Sequence, residues 1–65
     1  MKLDTHKIML VLAEKGLTRT ALAEISGISR QSISTIMTRG TCTPRTANKL
    51  AKGLGAAVNE ITKEN

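Results

Sequence analysis

Sixty-five residues set the scale of one domain with a small core, and ten Lys and Arg against five Asp and Glu leave a formal charge of +5, a balance that favours a polyanionic partner through steering and counterion release. The absence of Phe, Trp and Tyr excludes single-strand recognition by stacking on aromatic platforms and most aromatic-lined ligand pockets. One cysteine and one histidine exclude an internal disulfide and a structural zinc site, and fit a reducing, cytoplasmic setting.

The first helix is expected from near Asp4, as N-cap, to Lys15, with Gly16 in the left-handed conformation after it. Ile8, Val11 and Leu12 share one face and should pack on the elements that follow. Met9 and Leu10 widen that apolar arc. A broad core contact is the preferred reading, over contact of part of the face with a partner subunit. The apolar run Ile8 to Ala13 is far too short to span a bilayer. It also lacks signal-peptide features, because Asp4 and His6 precede it and no small-residue cleavage site follows.

The stretch Leu17 to Gly40, LTRTALAEISGISRQSISTIMTRG, predicts two short helices around a tight turn. Thr18 caps the first, with Leu17 and Leu22 as its hydrophobic staple. That helix runs over about Arg19 to Ser26, with Leu22, Ala23 and Ile25 inward. Ala23 is small enough to let the next helix cross closely. Gly27 stands where the connection needs positive φ. Ser29 caps the second helix, Arg30 to about Thr38, and Ile28 with Ile33 repeats the staple. Ile33 and Ile36 face inward, while Arg30, Gln31, Ser32, Ser34 and Thr35 face outward. This is a helix-turn-helix over 18–38. An outward face of Arg, Gln, Ser and Thr suits base edges and phosphates. The absence of carboxylates from Ser26 to Thr46 argues against an ordinary solvated face, which mixes signs.

The loop 40–43 leads to Pro44, with Thr43 as N-cap and Pro44 as first helical residue. The fourth helix covers Arg45 to Leu54, with Ala47, Leu50, Ala51 and Leu54 inward, and is ended by Gly53 and Gly55. A short fifth helix is expected over Ala56 to Glu64, with Val58 and Ile61 as its apolar contacts. The polar tail Thr62 to Asn65 should fray. Cys42 reads as a small packing residue rather than a reactive thiol, although basic neighbours of its kind can lower a thiol pKa. His6 and the five scattered carboxylates form no catalytic constellation, so no enzyme activity, cofactor or metal site is expected.

The stretch LTRTALAEISGISRQSISTI resembles the helix-turn-helix of the phage repressor and Cro group (XRE-like), in which Leu-Thr-Gln opens the first helix, Leu-Ala follows and a Gly-x-Ser turn leads into the recognition helix. The resemblance continues through Thr43-Pro44 into ANKLAKGLGAAVNEI and so covers nearly the whole chain. It implies a compact all-α domain of four to five helices, lambda-repressor-like, spanning residues 1–65. It also implies that Arg30, Gln31 and Thr35 occupy the positions that most often touch bases, Arg suiting guanine and Gln adenine. Ser32 and Ser34 match positions nearer the backbone or the bases according to docking; Ser34 is assigned to bases and Ser32 to the backbone. Arg19, Arg39, Thr41, Thr43 and Arg45 become backbone-contact candidates. Relatives bind as symmetric dimers on half-sites roughly 34 Å apart, which makes Val58 and Ile61 dimer-interface candidates, divided between core and partner.

Two departures from the family pattern stand out. An Arg late in helix 1 and a Glu near the end of the recognition helix are replaced by Leu12 and Met37, a pair expected to touch. The glycine after the recognition helix falls one residue late, at Gly40, after Arg39. The function expected is a sequence-specific double-stranded DNA-binding transcriptional regulator. It would be a repressor of phage or mobile-element type acting by promoter occlusion, since the chain leaves no room for a separate effector domain. It is expected to form a homodimer at least on DNA and to make no membrane contact. The alternative is a protein-interaction module, or an antitoxin-like partner-binding protein, on the same fold.

Overall fold

Asp4 opens the first helix of the computed structural model, which describes residues 1–63. Its carboxylate accepts the Lys7 N–H at 3.0 Å, satisfying one of the donors that a helix start leaves without an intrahelical partner. Helix α1 then runs Thr5–Lys15. Thr18 repeats the device for α2, Arg19–Ser26, by accepting the Ala21 N–H at 3.0 Å. Ser29 does so for α3, Arg30–Arg39, with the Ser32 N–H at 3.1 Å. Thr43 does so for α4, Pro44–Leu54, with the Thr46 N–H at 3.3 Å. The last helix, α5, is a single turn, Val58–Ile61. Ala57 offers it no side-chain acceptor, and only the Glu60 carboxylate reaches back, accepting the Ala57 N–H at 3.1 Å.

The all-α architecture and the four capped helix starts agree with the sequence reading; several details do not. Helix α3 reaches Arg39, one residue past the expected end, and Gly40 closes it at φ 74°. Gly53 does not end α4 but lies buried inside it. Helix α5 is shorter than the expected 56–64, because the backbone turns extended at Thr62. Thr62 and Lys63 are paired rather than frayed, for Leu3 bridges to Thr62 and the Lys63 N–H donates to the Lys2 carbonyl at 3.0 Å. The rest of the expected helix and tail, Glu64 and Asn65, lies outside the described residues.

The core is one cluster formed by Leu3, Ile8, Leu12, Leu22, Ile33, Ala47, Leu50, Ala51, Leu54 and Ile61. Helix α2 packs on both α3 and α4, while α1 lies against α4 and α5. Leu12 and Met37 both join this cluster. Ile25, expected inward, is 58 % exposed: α2 turns Leu22 and Ser26 toward Gly53 of α4, which leaves Ile25 on the flank of that contact. Met9 and Leu10 are 55 % and 46 % exposed, so the broad core contact expected of them is not made. Ile8 and Leu12 are the buried residues of α1, and partly buried Val11 packs beside them against the cluster.

The residues before the Asp4 cap, Met1–Leu3, had no role in the sequence reading. This segment runs between the loop after α3 and the chain beyond α5, bridging Lys2 to Thr41 on one side and Leu3 to Thr62 on the other. Leu3 turns inward and is 3 % exposed.

Candidate nucleic-acid interface

Helix α3 is oriented from below by Ile33, which is buried, and by Ile36 and Met37, which pack against the same cluster. That anchoring turns the other residues of the helix outward: Arg30, Gln31, Ser32, Thr35, Thr38 and Arg39 are exposed, and Ser34 is half-buried. The turn into the helix depends on Gly27, at φ 75°, a left-handed conformation in which a β-carbon is disfavoured. The Ile28 N–H after it donates to Ser26 Oγ at 3.3 Å.

An open concavity of about 620 Å³ lies along this face. From α3 it takes Gln31, Ser32, Thr35 and Arg39; from the following loop, Thr41, Cys42 and Thr43; from α4, Thr46 and Lys49. The fold therefore gathers six of the residues expected at the site: Gln31, Ser32, Thr35, Arg39, Thr41 and Thr43. Arg19, Arg30 and Arg45 are exposed but stand outside this lining, as does Ser34. Thr46 and Lys49 were missed. Both stand on one face of α4, three positions apart, but only the tertiary placement of that helix brings them to the concavity.

Hydrogen bonding within the site fixes what each hydroxyl can offer. Ser29 donates its hydroxyl to Ser32 Oγ at 2.8 Å, and Thr43 donates to Thr46 Oγ1 at 3.0 Å. Ser32 and Thr46 are thus acceptors in those bonds and keep their own O–H to donate, which is what a phosphate oxygen needs. Thr35 is the opposite case. Its hydroxyl donates to the Gln31 carbonyl at 3.1 Å, so it can present only a lone pair and a methyl group to a partner. Thr38 is spent in the same way on the Ser34 carbonyl at 3.0 Å.

The electrostatics are one-sided. Residues 25–59 hold Arg30, Arg39, Arg45, Lys49 and Lys52 and no carboxylate, while the rest of the chain balances five basic against five acidic residues. The whole formal charge of +5 is therefore carried by α3, α4 and the loop between them. Cys42 lies in the concavity with its thiol pKa raised, by burial first, with a smaller opposing effect of the N-terminal ammonium. That direction fits a packing residue and opposes the lowering that basic neighbours would give.

Among the described residues no group of three His, Cys, Asp or Glu is placed to hold a metal ion. No described helix is long and apolar enough to cross a membrane. At the C-terminal end, Val58 is half-buried, whereas Ile61 is fully buried in the chain's own core. Of the two residues expected at a dimer interface, only Val58 has surface to offer; Ile61 is committed to packing under the N-terminal segment and α1.

A family model described as helix-turn-helix matches residues 8–61, a span that opens in α1, contains the concave face and ends with α5. No curated protein and no solved structure matches the chain.

Proposed function

The chain belongs to the Cro/C1-type helix-turn-helix family, a family of DNA-binding regulatory domains, and from that premise we propose that it reads duplex DNA sequence with α3 and represses transcription by occupying a promoter. One observation carries the reading: the acid-free, cationic segment 25–59 contains helix α3 and every residue that lines the concave face. Arg30 and Gln31 are the strongest base readers, because each can make a bidentate pair with a purine edge in the major groove. Thr35 reads as an acceptor or by its methyl group, since its hydrogen is engaged. Ser34, half-buried, reaches bases only on close approach of the helix.

Ser32, Arg39, Thr41 and Thr43 line the concavity with Thr46 and Lys49 and hold the phosphate backbone. Arg19 and Arg45, each in the first turn of its helix, add backbone contacts where helix N-termini favour anions. Pairing of two copies on DNA, with Val58 at the contact, places two recognition helices on half-sites about 34 Å apart. A regulator of phage or mobile-element type in the cytoplasm fits this description. Exposed Met9 and Leu10 on α1 favour an additional protein contact away from the concave face.

The direct test is binding of labelled duplex DNA to the isolated chain as salt is raised, with no protein partner present. Binding that weakens steeply with salt, by about 0.9 in log–log slope per phosphate neutralised, is the expected result. Absence of binding at low salt would overturn the DNA reading and favour the protein-interaction module.

A further inference from the structure

We propose that Lys2 and Lys63, held side by side by the N-terminal segment, extend the DNA-binding face beyond the helix-turn-helix as an additional contact to the phosphate backbone. This rests on the DNA reading above. The Cys42 N–H donates to the Met1 carbonyl at 3.0 Å, and the Leu3 N–H donates to the Gly40 carbonyl at 2.8 Å. Those two bonds bracket Lys2 and Thr41 as a directly opposed antiparallel pair of the non-hydrogen-bonded kind, in which side chains on one face stand closest. On the other side of the segment, the Asp4 N–H donates to the Ile61 carbonyl at 2.8 Å, and the Lys63 N–H donates to the Lys2 carbonyl at 3.0 Å. That register sets Leu3 opposite Thr62 and therefore Lys63 opposite Lys2.

Thr41, Lys2 and Lys63 thus form one cross-chain row. Alternation along the segment turns Leu3 into the core and Lys2 to the other side; all three members of the row are exposed. Like charges placed directly opposite one another are destabilising, and an anion bound between them reverses that sign. Thr41 also lines the concavity, so the row continues the same face from its loop edge. The nearest carboxylate on the segment, Asp4, is engaged in capping α1 through the Lys7 N–H. The occupant is the duplex backbone, argued from charge complementarity and from continuity with the concave face.

The test compares the wild-type chain with Lys2→Gln, Lys63→Gln and the double variant, on a preferred duplex and on a scrambled one, across a salt series. Lys7→Gln, on an exposed part of α1, serves as a control for net charge, and thermal melting serves as a control for folding. The expected result is a fall in log–log salt slope of about 0.9 for each single variant and about 1.8 for the double. Affinity should fall by the same factor on both duplexes, with Lys7→Gln unchanged in slope. If the wild type binds but the double variant keeps the full slope, or Lys7→Gln loses as much, the additional contact is overturned while the DNA reading stands. If the wild type does not bind, both are overturned.

Discussion

Gly53 of α4 lies so close to Leu22 of α2 that a β-carbon on it would stand 3.0 Å from Leu22 Cδ1 and 3.1 Å from Ser26 Cβ. Helix α2 supports α3 from behind, so this approach helps to set the height of the recognition helix above the core. Alanine at 53 would gain helix propensity, roughly 1 kcal/mol, against an overpacking cost of about 1–3 kcal/mol. Leu22 is fully buried, and the Ser26 contacts include its backbone Cα at 3.4 Å, so neither neighbour yields easily. Gly53→Ala should therefore lose up to about 2 kcal/mol, and Gly53→Val more, because its branched carbons must enter the same space. Urea unfolding of the three chains measures this; a Gly53→Ala chain more stable than wild type would show that α2 and α4 can separate without loss.

The N-terminal segment should be part of the cooperative fold rather than a loose end. Leu3 is 3 % exposed in the central cluster, and deleting a buried leucine to alanine costs about 2–5 kcal/mol. Leu3→Ala is expected near the lower end, since the site lies close to the terminus and can relax. Denaturant unfolding should show a loss of about 2 kcal/mol, with faster exchange of the Cys42 and Lys63 amides that bond to this segment. A loss under about 0.5 kcal/mol would mean that the segment is only loosely docked.

The helix starts were legible because each is a local device. Asp4, Thr18, Ser29 and Thr43 each accept a backbone N–H three residues on, a relation fixed by neighbours in the sequence. The misread residues depend on long-range packing. Gly53 looked like a helix terminator because glycine usually serves that purpose, and only the approach of α2 shows what it accommodates. Ile25 looked inward from periodicity, but the small residue on α4 draws Leu22 and Ser26 to the contact instead. Leu3 and Lys63 lie in polar terminal stretches whose pairing is set by partners some forty to sixty residues away. At the site, the α3 face was readable from its outward residues. Lys49 was not, because its place in the concavity depends on how α4 crosses behind the loop.

Mutations on the concave face should separate into two kinds. Arg30→Ala and Gln31→Ala should lose discrimination at particular base pairs, by about 1–3 kcal/mol per bidentate contact. Arg45→Ala and Lys49→Ala should weaken every duplex alike and reduce the salt slope by about 0.9 each. Competition binding against a panel of single-base operator variants distinguishes the two. Equal losses on every sequence from both kinds would contradict the assignment of base readers.

Cys42 should react slowly. Burial raises its thiol pKa, which lowers the thiolate fraction near neutral pH, and the thiolate is the nucleophile. A maleimide or disulfide probe should modify the folded chain more slowly than the urea-unfolded chain, at pH 7 and at pH 8. The linkage has a definite sign. A folded pKa above the unfolded one means that the neutral thiol favours the fold; that contribution is complete below the unfolded thiol pKa and is lost as pH rises through the folded one. Faster labelling of the folded chain would mark Cys42 as an activated thiol instead.

The most direct measurement is selection of bound sequences from random duplex DNA at near-physiological salt. Sequence-specific reading by paired recognition helices should enrich two short half-sites in inverted orientation, centred about one helical turn apart, roughly 34 Å. Enrichment of a single half-site would retain the reader and remove the pairing. A pool that emerges with no enriched sequence would contradict the claim that α3 reads bases.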